Sequence, residues 1–289
     1  MSMNTEYIEA CAILSQFPQY TSAPRGMKIK EMSPYIFSIE NPYKRIVTIP
    51  ERALSMKYLV GELSFYLSGS DDLSFISYYS KFWNKVSDDG VKVNSAYGKR
   101  IFFDMTRGST QFKYCIDQLI KDPDTRKAVM TIYAPSDSVD GSKDNPCTLS
   151  IQFLLRQNKL NCIVNMRSND VWFGTPYDVA FFAFVQERLL VAYNARSALT
   201  AEMGSYTHFV GSLHAYEKDW ESVRKCAYSA GDGVGLDEMP RISSAFDMEL
   251  WLYLDWEEAR RTGKDTHIEQ DMLTDPVLLW MMDVLSEGA

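Results

Sequence analysis

Apolar side chains recur with two different periods along the chain, and each period predicts an element. Over residues 52–68, RALSMKYLVGELSFYLS, the positions Leu54, Tyr58, Leu59, Phe65 and Tyr66 follow helical spacing. Glu62 falls on the same stripe. A carboxyl group on a face that packs inward must be paired or working, unless it sits at the stripe's edge with its head in water. Residues 127–134, KAVMTIYA, predict a strand, and the turn formers from Pro135 to Pro146 predict a surface loop that Cys147 follows directly. Leu149, Ile151, Phe153 and Leu155 then alternate, Arg156-Gln157-Asn158-Lys159 turns the chain, and Leu160, Cys162, Val164 and Met166 resume the alternation. This is a hairpin with Cys147 at its entrance and Arg167 at its exit; Cys162, facing with the apolar set, reads as a buried, inert thiol. Tyr177 to Asn194 predicts a buried helix with Asp178 in its first turn, where the helix N-terminus favours negative charge. Two further helical patterns, from Phe246 to Ala289, flank Arg260-Arg261-Thr262-Gly263-Lys264 and are expected to pack on the outside of the core. Strands and helices in no regular βαβ order place the fold in α+β.

No repeat, linker or composition break divides the 289 residues, so a single domain over 1–289 is the expectation. Thirty Lys and Arg against 38 Asp and Glu leave a formal charge of −8, which supplies no global field to hold a nucleic acid polymer. No window is long and apolar enough for a membrane span, and the start, Met1-Ser2-Met3-Asn4-Thr5-Glu6, lacks the basic and apolar regions of a signal peptide, so a soluble, cytoplasmic protein is expected. Cys11, Cys115, Cys147, Cys162 and Cys226 are odd in number, scattered and never spaced as CxxC, and only three histidines are present. A disulfide framework and a metal centre are both excluded as expectations.

Cys147 follows Pro146 where a loop meets a strand, a partly exposed place for a thiol; cationic neighbours such as Arg167 would favour its thiolate and make it a nucleophile. A single cysteine is more often a small buried hydrophobe. The run from Asn145 to Ala180 changes that weighing. Pro146-Cys147, Arg167-Ser168-Asn169-Asp170 and Gly174-Thr175-Pro176-Tyr177-Asp178 closely resemble the thymidylate synthase family, in which Pro-Cys opens a strand, Arg-Ser-x-Asp follows and Gly-x-Pro-aromatic-Asn comes next. Gly61-Glu62-Leu63-Ser64-Phe65 resembles its His-Glu-Leu-x-x-Phe helix, Trp83-Asn84 its Trp-Asp and Ala96-Tyr97-Gly98-Lys99 its Tyr-Gly segment. Asp122-Pro123-Asp124-Thr125-Arg126-Lys127 resembles its Asp-Pro-x-Ser-Arg-Arg, Arg25-Gly26 its phosphate loop and Gly211-Ser212-Leu213-His214-Ala215-Tyr216 its Gly-Asp-x-His-x-Tyr. The resemblance covers about Arg25 to Tyr216 and leaves residues 217–289 as a divergent, helical extension.

The resemblance implies that the Cys147 thiolate adds to C6 of a pyrimidine monophosphate, making C5 nucleophilic toward the one-carbon unit of 5,10-methylenetetrahydrofolate, with no metal. Glu62 and Tyr97 would move protons and order water around C5 and the ring. Arg25, Arg126 and Arg167 would cup the phosphate, with Ser168 among the nucleotide contacts; His214 and Tyr216 would hold the sugar 3′-hydroxyl, and Trp83 and Asp170 would contact the folate. The family is a homodimer whose sheet faces form the interface, with the Arg126 position reaching into the partner's site.

Two departures from thymidylate synthase point to a branch. Asp178 stands where the family has the base-reading Asn. An amide matches uracil, whereas a carboxyl group accepts from the cytosine N4 amino group and shares a proton with N3, a pairing worth about 1–3 kcal/mol of discrimination. With Cys147-Thr148 in place of Cys-His, this pattern is similar to the phage deoxycytidylate 5-hydroxymethylases, in which water captures the exocyclic methylene. The ending Leu285-Ser286-Glu287-Gly288-Ala289 lacks the family's closing tail, and a site open to water favours hydration over hydride transfer. The expected product is 5-hydroxymethyl-dCMP. A CMP or dUMP hydroxymethylase and a methylase remain open within the family. From other classes, Cys147 with His214 could form a cysteine hydrolase dyad, or the chain could be an inactive nucleotide-binding relative.

Overall fold

The computed structural model describes residues 2–106, 108–229 and 238–287; Met1 and the terminal Gly288-Ala289, on which the readings of the two chain ends partly fall, lie outside them. The strands are β1 (Tyr20–Ser22), β2 (Ile29–Met32), β3 (Tyr35–Ile39), β4 (Met105–Thr106), β5 (Ser109–Thr110), β6 (Val129–Thr131), β7 (Thr148–Arg156), β8 (Lys159–Met166), β9 (Asn169–Asp170), β10 (Glu202–Val210) and β11 (Leu213–Tyr216). The helices are α1 (Met3–Gln16), α2 (Met56–Ser68), α3 (Leu73–Tyr79), α4 (Trp83–Val86), α5 (Gln111–Lys121), α6 (Thr175–Asn194), α7 (Trp220–Ala227), α8 (Phe246–Thr262) and α9 (Pro276–Ser286). The fold is α+β. A five-stranded mixed sheet runs in the order β3-β10-β8-β7-β6, a four-stranded sheet in the order β1-β2-β11-β9, and β4 with β5 makes a small ribbon.

The hairpin forms where alternation predicts it. Gln157 and Asn158 both take left-handed backbone, with φ of 51° and 60°, which suits the two-residue turn between twisted strands. Ile151, Phe153, Leu160, Cys162, Val164 and Met166 face the core, and the buried Cys162 is the inert thiol expected. Helix α6 runs through the interior and buries residues on every side, from Val179 to Val185, so its sequence shows no clear polar face. Helix α2 starts at Ser55, whose hydroxyl accepts from the Tyr58 N–H, and stops at Gly69, whose φ of 70° is the left-handed end that glycine permits.

The C-terminal helices depart from expectation. Val277, Leu278, Met281 and Leu285 of α9 are fully buried in the same hydrophobic cluster as Met3, Phe65 and Phe182, so this segment belongs to the core and does not lie on its outside. Asp275 caps α9 by accepting from the N–H groups of Val277 and Leu278. A buried ion pair ties the same region to the centre: Arg45 Nη2 lies 2.7 Å from Glu187 Oε2 on α6, and Glu187 Oε1 accepts from the Ile242 N–H at 2.9 Å. Removing one member leaves the other charge buried without its partner. Arg45→Ala is therefore expected to lower the unfolding free energy by about 3–5 kcal/mol in urea titration, well beyond the effect of a surface charge.

Candidate active site

Two strand pairs leave the five-stranded sheet together and enter the four-stranded one. Strand β8 passes through Arg167-Ser168 into β9, and β10 passes through Gly211-Ser212 into β11; both β8/β10 and β9/β11 are parallel. Backbone bonds hold the fork: Arg167 N–H to Cys147 C=O at 2.8 Å, Gly211 N–H to Met166 C=O at 2.8 Å and Asn169 N–H to Ser212 C=O at 2.9 Å. Gly211 is needed because a Cβ there would come within 3.0 Å of the Arg167 carbonyl oxygen. The parting of the sheets opens a cavity of about 1140 Å³, larger than one drug-sized ligand requires.

Cys147, Glu62, Tyr97, Asp178, Arg25, Arg167, Ser168, His214, Tyr216, Trp83 and Asp170 all line this cavity. Arg126 does not: it is exposed, and its carbonyl accepts from Gln152 Nε2 on the five-stranded sheet.

Cys147 is half-buried, and its N–H donates to Tyr97 Oη at 3.3 Å. Burial raises its thiol above the ordinary value, Arg167 and Arg25 oppose that, and Asp178 adds to it. The thiol is thus the resting form, and the two guanidinium groups favour the thiolate when a reaction demands it. Arg167 also builds the loop itself, donating from Nε to the Pro146 carbonyl and from Nη2 to the Asn145 carbonyl, each at 2.9 Å. Arg25 holds left-handed backbone, φ 52°, and places Nη2 3.5 Å from Tyr216 Oη. Tyr97 is seated by Gly98, where a Cβ would lie 1.9 Å from the Tyr66 carbonyl oxygen of α2. Its ring stacks on Tyr66 and Phe182, with centroids 5.5 and 5.7 Å away.

Five carboxyl groups line the cavity, Glu31, Glu62, Asp144, Asp170 and Asp178, and three of them are pushed up to about 7 or 8. Glu62 is pushed up to about 8, chiefly by burial; the Tyr58 hydroxyl, donating to Oε1 at 2.7 Å, opposes this, and Asp178 adds to it. Asp178 is pushed up to about 7 by burial, against a 2.7 Å hydrogen bond from Asn169 Nδ2 to its Oδ2. Asp170 is also raised by burial to about 7, while its Oδ1 accepts from the Trp172 N–H. Of these raised acids, Asp178 is near enough to Cys147 to oppose its ionisation. His214 is kept neutral by burial, and its Nδ1 faces the Ser212 carbonyl at 3.3 Å, so Nδ1 carries the proton and Nε2 is left as an acceptor. Among the described residues no hydrogen bond joins Cys147 to His214, and a hydrolase dyad gains no support.

Sequence reasoning passed over several groups. Tyr58 bridges Trp83, whose Nε1–H donates to it at 3.1 Å, and Glu62; its signal was its place four residues before Glu62. Asn169, the unspecified position of Arg-Ser-x-Asp, holds Asp178. Tyr79 lines the cavity with no sequence signal: its ring occupies the space over Gly61, where a Cβ would approach within 2.2 Å, and its hydroxyl donates to the buried Glu257 of α8 at 2.5 Å. Arg261 then clasps Glu257 at 2.9 Å. The extension after Tyr216 therefore builds part of the cavity wall. No helix among the described residues is long and apolar enough to cross a membrane, and no cluster of three metal-ligating side chains occurs among them.

The family model described as thymidylate synthase matches residues 13–230, and the chain belongs to that family. Among its relatives, the deoxyuridylate hydroxymethyltransferase of Bacillus phage SP01 is 37% identical over 209 residues, 68% of this chain and 53% of that protein. The deoxycytidylate 5-hydroxymethyltransferase of Enterobacteria phage T4 is 36% identical over 177 residues, 59% of this chain and 71% of that protein. The deoxyuridylate hydroxymethyltransferase of Delftia phage PhiW-14 is 31% identical over 63% of this chain and 51% of its own length. The chain thus spans about half the length of the two deoxyuridylate enzymes.

Cys11, Cys115, Cys162 and Cys226 are buried. A thiol reagent applied to the native protein is expected to label Cys147 alone, faster as pH rises, and peptide mass mapping checks this; labelling of a second cysteine at a comparable rate contradicts it. A second expectation concerns pH. Glu62 returns to an ordinary carboxyl value on unfolding, so the folded state keeps its proton over a higher pH range. The associated stability is complete below about pH 4 and is lost as pH rises toward about 8. Glu62→Gln removes that contribution, and its melting temperature should fall less than the wild type's between about pH 5 and about pH 8.

Proposed function

We propose that this protein transfers a one-carbon unit from 5,10-methylenetetrahydrofolate to C5 of deoxycytidylate and releases 5-hydroxymethyl-dCMP. The observation that carries the reading is the Asp178 carboxyl, raised by burial and lining the same cavity as Cys147. A neutral carboxyl group pairs with either base in shape. Once ionised it repels O4 of uracil, whereas N3 of cytosine is itself basic and keeps a proton between the two groups. Cytosine is thereby favoured.

The Cys147 sulfur bonds to C6 as its proton leaves, and the ring electrons move through C5 and C4 toward N3, which takes the Asp178 proton. C5 attacks the methylene carbon, the C5 proton departs, and the folate amine leaves to give an exocyclic methylene. Water adds to that carbon, and elimination of the Cys147 thiolate restores the ring. Glu62, with its high proton affinity, and Tyr97 hold the water and relay protons near C4 and C5. Arg25 and Arg167 bind the phosphate with Ser168, His214 Nε2 and Tyr216 take the 3′-hydroxyl, and Trp83 and Asp170 meet the folate. Arg126, exposed and outside this cavity, suits service to the partner's site in a homodimer built on the five-stranded sheet. A single functional domain comprising both the family region and its C-terminal extension is part of this reading, as is action in the cytoplasm, of a host cell if a phage encodes the chain.

A second reading, hydroxymethylation of dUMP, draws on the names of the SP01 and PhiW-14 relatives and on the ability of a neutral Asp178 to donate to O4. Product masses from dCMP, CMP and dUMP with methylenetetrahydrofolate separate these. The expected result is addition of CH2O to dCMP; addition of CH2, or faster turnover of dUMP, overturns the assignment. Asp178→Asn should shift kcat/KM toward dUMP by about tenfold or more, within the range of a bidentate base pair.

A further inference from the structure

Beneath Asp178 lies a chain of buried polar side chains that the proposed chemistry does not use. Tyr206 and His208 sit two apart on the core face of β10, both fully buried. Tyr206 Oη lies 2.8 Å from His208 Nδ1, and His208 Nε2 lies 3.2 Å from Asn169 Oδ1. Asn169 Oδ1 also accepts from Thr175 Oγ1 at 2.6 Å, while Asn169 Nδ2 donates to Asp178 Oδ2 at 2.7 Å.

The direction of every bond in this chain follows from one assignment. Burial keeps His208 neutral, so the ring has one N–H. Asn169 Oδ1 is an acceptor, so that N–H is on Nε2, and Nδ1 must accept from the Tyr206 hydroxyl. The opposite amide orientation would set the Asn169 carbonyl against the Asp178 carboxyl group and its N–H groups against the Thr175 donor. Asp178 Oδ2 thus receives an N–H, which a carbonyl-type oxygen accepts better than a hydroxyl oxygen does, so a proton on Asp178 is favoured on Oδ1.

We propose that Asn169, oriented by His208 and Tyr206, is a positioning residue that biases the Asp178 proton toward Oδ1 and so makes the carboxyl group favour one base over the other. This rests on the assignment of Asp178 as the base reader. A carboxylic acid free to carry its proton on either oxygen matches cytosine with one placement and uracil with the other. With the proton on Oδ1, Oδ1 donates to N3 of cytosine and the acceptor Oδ2 meets the N4 amino group. Uracil in the same pose needs a donor at Oδ2 for O4, the proton placement that Asn169 disfavours.

Two measurements test this. Nitrogen-15 NMR of the histidine-labelled full chain, with only His208, His214 and His267 to assign, should show His208 neutral across neutral pH, with its proton on Nε2. A proton on Nδ1 reverses the chain and overturns the proposal. The ratio of kcat/KM for dCMP to that for dUMP should then fall by about tenfold in Asn169→Ala, the scale of a lost base contact. It should fall less, in the same direction, in Tyr206→Phe, which keeps the ring. A merely structural role would depress both substrates equally; an unchanged ratio in both variants overturns the relay while leaving the base assignment intact. A wild type that prefers dUMP overturns the base assignment itself, and the NMR result still judges the relay.

Discussion

The site depends on two parallel strands leaving one sheet in step. Strands cannot part without exposing backbone donors and acceptors, and here the fork satisfies its own: Arg167 and Gly211 donate across the gap, and Asn169 picks up the Ser212 carbonyl on the far side. Because those bonds fix the backbone at Cys147, Arg167, Ser168 and Ser212, the Cys147 thiol and Arg167 are carried at strand ends, while Arg25 approaches from the turn between β1 and β2. Arg167 adds to this by spending two donors on the Asn145 and Pro146 carbonyls, so one guanidinium group both shapes the Cys147 turn and lowers the cost of its thiolate.

The electrostatics of the cavity follow from which groups are buried. Within a chain of net charge −8, the cavity holds acids whose burial raises their proton affinity while Arg25 and Arg167 face the same space. Besides the effect of burial, Asp178 raises Glu62 and Asp170 raises Asp178, so neutralising one carboxyl group eases ionisation of its neighbour. Groups able to hold a proton near neutral pH therefore line the same cavity as the Cys147 thiol.

Much of this was legible in the sequence. The hairpin, α2 and α6 followed from periodicity, and ordered motifs brought eleven of the twelve anticipated residues to one cavity, with Arg126 outside it. Strands β1, β2 and β11 were not anticipated, because strands of three or four residues carry little periodic signal; helix α1 and strand β10 were passed over as well. His208 and Tyr79 were missed for a different reason: their roles arise from contacts between segments distant in the chain, such as the 178 positions separating Tyr79 from Glu257, whereas Tyr58 carried a local signal four residues before Glu62. The burial of α9 was misjudged because amphipathic patterning fixes which face turns inward and says nothing of how deeply the helix sits.

Tyr79 over Gly61 carries a consequence for how such sequences diverge. The family's histidine at the position of Gly61 and an aromatic ring at the position of Tyr79 cannot occupy one volume. Exchange at either position is sterically coupled to the other, and through Glu257 and Arg261 to a helix nearly two hundred residues downstream. A larger side chain at Gly61 would displace the Tyr79 ring and, with it, the hydroxyl contact that ties α8 to the cavity wall.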